Sequence, residues 1–195
     1  MKIRYLISLI LIAVSFNSII YSQTTPDQKK EKSLSIGVGG NIPTGPWRSK
    51  VSAGAGIHVK YEVNISSKVT WFLQAGYTHF WGKESSFGSV SYTTSFDYGE
   101  FGTGIELHSK KGYFGLVGLT VNTFANKTNV VQLISGWKQE TRTNQQSEKF
   151  GLMLGGGYVY PVAETLDLEG TLVYNYLGNE GSNLSLIAGL KIKFY

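Results

Sequence analysis

Residues 52–64 read SAGAGIHVKYEVN, and the stretch divides by parity. Ala53, Ala55, Ile57, Val59, Tyr61 and Val63 occupy alternate positions, while Gly54, Gly56, His58, Lys60, Glu62 and Asn64 fall between them. A period of two is that of a β-strand with one apolar and one polar face. Residues 184–195, LSLIAGLKIKFY, repeat the pattern, with Leu184, Leu186, Ala188, Leu190, Ile192 and Phe194 opposite Ser185, Gly189, Lys191 and Lys193. In 166–178, Leu166, Leu168, Leu172, Tyr174 and Tyr176 oppose Asp167, Glu169, Thr171 and Asn175. Working outward, the same alternation marks eight segments: 34–43, 52–64, 69–82, 96–108, 113–125, 149–161, 166–178 and 184–195. None carries a helical stripe. The segment 113–125 is the least regular, because Phe114 and Leu116 fall on its polar face.

Alternation alone fits any half-buried antiparallel sheet, but two features turn the assignment inside out. The polar face is rich in glycine (Gly37, Gly39, Gly54, Gly56, Gly102 and Gly104 among others), and small residues suit a crowded lumen better than a solvated surface. Connection lengths also alternate. Segments two and three, four and five, and six and seven are joined by about four residues each, whereas the remaining links are longer, the longest being 126–148. Short turns at one end and long loops at the other are the pattern of an all-β, eight-stranded antiparallel up-and-down transmembrane β-barrel. Every segment reaches the roughly 9 to 11 residues that a tilted membrane strand needs. Outward aromatics are expected in two girdles, with Tyr61, Trp71, Tyr113, Tyr160 and Phe194 at one rim and Trp47, Trp81, Tyr174 and Tyr176 at the other.

The rest of the 195-residue chain agrees with export. Residues 1–22 carry a basic head (Lys2, Arg4), an apolar run and the interruptions Ser15, Asn17 and Ser18, which read as a signal peptide cut between Ser22 and Gln23 rather than a membrane anchor. A polar leader, 23–33, precedes the barrel domain, 34–195. Cysteine is absent, which excludes disulfide scaffolds, thiolate metal sites and Cys nucleophiles. The formal charge of +5 is spread along the chain, so it is no argument for nucleic acid.

With these features the chain resembles the small outer-membrane barrels of the OmpA/OmpX and opacity-protein type, over essentially all of 34–195. A signal ending in YSQ resembles those of Bacteroidota. In that family the last strand is the signal read by the barrel assembly machinery, and Leu190, Ile192, Phe194 and Tyr195 match its alternating apolar residues and terminal aromatic. The usual last residue is Phe, so Tyr195 departs from the pattern. The resemblance implies an integral outer-membrane protein with a structural or surface-interaction role, in contact with outer-membrane lipids.

An eight-stranded barrel is filled by its own side chains, so no wide pore is expected. Strand direction puts Lys60, Glu62, Glu106, Asp167, Glu169, Lys191 and Lys193 inside, all in the half nearer the termini. Buried charges must be paired, so they are expected to form a structural network, with Lys191 and Lys193 facing Asp167 and Glu169 on the neighbouring strand. A paired-carboxylate catalytic site is the sharper reading of Asp167 and Glu169, and residues two apart on one strand face are ordinary in a plugged lumen. No catalytic, metal or cofactor site is expected. Of the three histidines, His58 points inward beside Lys60, His79 lies outward near the loop rim and His108 sits at a turn, without metal-ligand spacing. An outer-membrane deacylase would carry Ser two residues after its lipid-facing His, and here Trp81 follows His79 at that distance. The loop 126–148 alternates again around Ser135 and Gly136, which suggests a protruding hairpin able to accept a surface partner. A lipid-modifying enzyme and a soluble lipocalin-like carrier remain as alternatives.

Overall fold

The structure is a computed structural model that describes residues 31–88, 90–134, 137–178 and 181–194. The signal peptide and most of the leader, the proposed turn at Ser135 and Gly136, and Tyr195 lie outside these residues. Eight strands make up the barrel: β1 (Lys32–Thr44), β2 (Val51–Asn64), β3 (Val69–Phe87), β4 (Val90–His108), β5 (Tyr113–Ile134), β6 (Trp137–Ala163), β7 (Leu166–Tyr176) and β8 (Ser182–Phe194). Each pairs antiparallel with its chain neighbours, and β1 also pairs with β8 from Lys32↔Phe194 to Thr44↔Ser182, so the sheet closes. Closure leaves no sheet edge within the ring.

The two faces differ in the way the alternation dictates. On β7, buried Asp167, Glu169, Thr171, Val173 and Asn175 alternate with Leu168, Gly170, Leu172, Tyr174 and Tyr176, which are exposed. Outward Ile57, Leu172, Leu186, Leu190, Ile192 and Phe194 are each 40% exposed or more. Such a continuous belt of large apolar side chains is the reverse of a soluble protein's surface. Phe114 and Leu116, which break the pattern of the fifth segment, lie in the lumen and pack with Phe72, Met153 and Val173. The lumen is thus polar along one side and apolar along the other.

Turns at one end are tight: 65–68, 109–112 and 164–165. At the other end the connections are mostly strand. β3 and β4 continue through Glu84↔Thr93 to Phe87↔Val90, well beyond the expected limits of 82 and 96. Lys83, Glu84, Ser85 and Ser86 provide no apolar face to signal a strand, and a register shift between Phe80 and Lys83 breaks the alternation. β5 and β6 stay paired to Ile134↔Trp137, forming a long ribbon.

Two of the expected girdle residues are buried: Trp71, which is 7% exposed, and Trp47. Tyr113, Tyr160 and Phe194 at the turn end and Trp81, Tyr174 and Tyr176 at the other are exposed on the outer face. Trp47, expected among them, is instead 9% exposed. It sits on a 3-10 turn, Gly45–Ser49, that folds over the mouth and inserts the indole among Phe80, Phe96, Tyr98 and Phe124. Its ring centroid lies 4.8 Å from that of Phe124 and 6.0 to 6.2 Å from the others. Gly181, with φ of 152°, passes directly beneath, where a Cβ would stand 2.5 Å from the indole. No parity rule reaches a residue in a turn. A charge placed on the belt should be destabilising near the bilayer midplane, so Leu172→Arg or Ile57→Lys is expected to cost about 2 to 4 kcal/mol. Urea titration of the protein folded into lipid vesicles measures this, and unchanged midpoints for both variants would mean that these faces do not meet lipid.

Candidate functional site

The candidate site is built from the inward rows of β1, β2, β4, β7 and β8. On β1 that row is Ser33, Ser35, Gly37, Gly39 and Asn41, all small or short, and it leaves room for long side chains from both sides. Lys60 extends from β2 into this space. Its Nζ lies 2.6 Å from Glu62 Oε1, Glu106 Oε1 and Glu169 Oε1, three carboxylates from three strands, and 5.1 Å from the centre of the Phe114 ring. Ser33 donates to Glu62 Oε2 at 2.6 Å, Ser35 to Glu169 Oε2 at 3.1 Å and Thr171 to Glu169 Oε1 at 2.9 Å. His108 Nε2 closes the network at the turn end, 3.1 Å from Glu106 Oε2.

The structure places Lys60, Glu62, Glu106, Asp167, Glu169, Lys191 and Lys193 in the lumen, with Lys193 paired as strand adjacency predicts and Lys191 and Glu169 paired elsewhere. Lys193 Nζ donates to Asp167 Oδ1 at 2.9 Å. Lys191 stands level with Asp167 in the register yet pairs with Glu62, reaching over the short side chains of β1. Glu169 is held by Lys60 and not by a lysine of β8. Leu190, Ile192 and Phe194 line the outer face of β8, with the Phe194 ring 6.4 Å from Tyr61.

A fifth buried carboxyl was not singled out by the sequence. Glu100 lies on the inward row of β4 and accepts from Gln74 Nε2 and from Asn175 Nδ2 at 2.7 Å. The Tyr98 hydroxyl stands 2.9 Å from its Oε2 and 2.6 Å from Asn122 Oδ1. Its signal was available, since Glu100 shares the parity of Tyr98, Gly102 and Glu106. Between the two carboxyl clusters lies a cavity of about 30 Å³ lined by Ser35, His58, Lys60, Gln74, Glu169 and Thr171 among others. Among the described residues neither ring nitrogen of His58 has a hydrogen-bond partner, and Gly76 is required beside it because a Cβ there would sit 2.6 Å from Nδ1. The void has room for a single water molecule beside the imidazole.

On the outer face near the loop end, His79 Nδ1 lies 2.7 Å from Asp97 Oδ1, Tyr77 donates to the same oxygen at 2.8 Å, and Lys127 Nζ donates to Oδ2 at 2.5 Å. Trp81 meets the His79 ring edge-on at 5.9 Å.

Removing one partner of a buried network strands the others. Lys60→Met, which leaves three carboxylates without their shared cation, should cost about 3 to 5 kcal/mol. Lys193→Met should cost less, and adding Asp167→Asn should recover part of that loss. Urea unfolding in lipid vesicles reads all three. Equal, additive losses would show that water screens these groups.

No family model and no curated protein matches the chain. Solved structures do. The attachment invasion locus protein Ail of Yersinia pestis superposes with a TM-score of 0.55 at 14% identity, covering 86% of this chain and 100% of Ail. A major outer membrane protein of Thermus thermophilus superposes with a TM-score of 0.55 at 12% identity, covering 84% and 99%. Ail in complex with the heparin analogue sucrose octasulfate gives 0.53 at 13% identity. At such identities the likeness speaks for the fold: the chain has the fold of the small eight-stranded outer-membrane β-barrels.

Proposed function

We propose that this protein is an exported, integral outer-membrane β-barrel of bacteria that acts at the cell surface as a structural or interaction protein, without enzymatic activity. The observation that carries the reading is the inverted polarity of the barrel, with a large apolar belt outside and paired charges inside. A lipocalin-like carrier needs an apolar interior with room for its ligand, and this lumen is occupied by Lys60 and its carboxylates on one side and Phe72, Phe114 and Met153 on the other. Lipid surrounds the belt, and the last strand, with Leu190, Ile192, Phe194 and Tyr195, addresses the chain to the barrel assembly machinery.

With turns on the periplasmic side, the ribbon of β5 and β6 stands outside the cell. Residues 137–145 of β6 pair with β5 along one edge, while the register with β7 starts only at Leu152↔Tyr176. A strand edge above the barrel is a place for a partner strand to add. The name of Ail, an attachment invasion locus protein, fits such a surface role.

A second reading, a lipid-modifying enzyme, has one observation in its favour: Asp97 holds His79 by Nδ1 at the rim, the kind of orienting contact that a general base has. Unaltered lipid A in a deletion strain would dispose of it, whereas a lipid A change abolished by His79→Ala would replace the first reading.

Three measurements test the main proposal. Cell fractionation should place the protein in the outer membrane, and heated and unheated samples should migrate differently on a gel. Trypsin added to intact cells should cut at the exposed Arg142 and leave the barrel whole. Recovery in the soluble fraction without detergent would refute membrane insertion, and protection of Arg142 in intact cells would refute the orientation.

A further inference from the structure

Two grooves meet on the outer face of β4, β5 and β6. The lower one, of about 580 Å³, crosses the apolar belt from Leu73 on β3 to Phe150 and Leu152 on β6, passing Leu119 and Val121 of β5. The upper one, of about 330 Å³, is lined by Tyr77, Asp97, Gly99, Thr123, Ala125 and Glu148 among others. They are continuous. Val121 and Thr123 are successive outward residues of β5, Phe150 and Glu148 are successive outward residues of β6, and Val121↔Phe150 and Thr123↔Glu148 are register pairs. Beyond Phe150 the outward row of β6 turns polar, through Glu148, Gln146, Asn144 and Arg142, so the junction of the grooves marks the outer edge of the belt.

Small residues open the upper groove. Gly99 faces Thr123 in the register, and a Cβ at Gly99 would lie 2.6 Å from the Thr123 hydroxyl. Charge there is set by two walls. On the β4 side, the Asp97 carboxylate is taken by Tyr77, His79 and Lys127, so an ammonium stands against it and the wall is balanced. On the β6 side, exposed Glu148 has Gln146 and Phe150 as its outward neighbours and Thr123 opposite, none of them basic. Lys149 belongs to the inward row and lines the mouth of the lumen. Arg142, higher on the ribbon, is joined to Glu140 at 3.3 Å. The register of β6 with β7 starts only at Leu152, so that strand brings no cation to Glu148.

We propose that the two grooves together hold one lipid of the outer leaflet whose headgroup carries a primary ammonium. Within the bilayer only hydrocarbon is available to fill the lower groove, so its occupant is an acyl chain, and a chain lying there delivers its headgroup to the upper groove. The ammonium has three N–H donors, for which the Glu148 carboxylate and the Thr123 hydroxyl oxygen are acceptors, and a bond to a carboxylate is charge-assisted. Lys127, on the other wall, faces the phosphate that every phospholipid carries, so discrimination between headgroups falls to Glu148. An anionic headgroup would meet that carboxylate with like charge, and a trimethylated one would bring charge without a donor. The proposal rests on the outer-membrane reading above for the bilayer around the belt.

The test uses the full barrel in detergent micelles, its folding checked by the heat-dependent gel shift, with phosphatidylethanolamine, phosphatidylcholine or phosphatidylglycerol of identical chains added in turn and bound lipid counted by native mass spectrometry. Phosphatidylethanolamine should be retained, one molecule per barrel, above the other two. Glu148→Gln should abolish that preference while leaving the total of bound lipid unchanged. Val121→Trp, which narrows the lower groove, should reduce retention of all three, whereas Leu186→Trp, on the outer face of β8, should reduce none. No lipid on a folded barrel, equal retention of the three lipids by the unaltered protein, or retention indifferent to both Glu148→Gln and Val121→Trp would each overturn the site. Recovery of the protein outside the outer membrane on cell fractionation would refute the membrane reading instead, and leaves the comparison of headgroups in micelles standing.

Discussion

Closure of the sheet between β1 and β8 is the constraint from which the rest follows. A ring of eight strands satisfies its backbone hydrogen bonds internally and encloses a lumen only wide enough for side chains. Every inward residue must then find a partner among the other inward residues, and every outward one is free to be apolar. The sorting is visible on β7, where carboxylates and leucines alternate at single-residue intervals.

Within the lumen, space is shared by size. The short inward row of β1 lets Lys191 reach across it to Glu62, and lets Lys60 gather carboxylates from β2, β4 and β7. The opposite side is packed by Phe72, Phe114, Leu116 and Met153, so the Lys60 network keeps to one seam, where the hydroxyls of Ser33, Ser35 and Thr171 complete its hydrogen bonds. Both fillings brace the barrel. A braced barrel is a rigid base from which the Trp47 turn and the ribbon of β5 and β6 rise.

The sequence by itself determined which residues face in and which face out, because a strand admits only a period of two and a one-residue slip would reverse every side chain. It therefore yielded eight strands, the antiparallel order and the inward position of all seven network residues. Glu100 was equally accessible to that rule. What the chain alone could not decide was which charge meets which. Lys191 is level with Asp167 and still binds Glu62, because long side chains choose partners by the free volume that neighbouring strands leave, a property of the closed ring. The place of Trp47 was likewise decided only in three dimensions: a turn has no parity, and the indole goes inward because the rings of Phe80, Phe96, Tyr98 and Phe124 leave an apolar recess for it and Gly181 leaves the space beneath it. The extension of β3 and β4 past residue 82 depended on backbone pairing between polar segments, and hydrogen bonds between main chains leave no mark on side-chain hydropathy, whereas the renewed alternation of 126–148 announced the ribbon of β5 and β6.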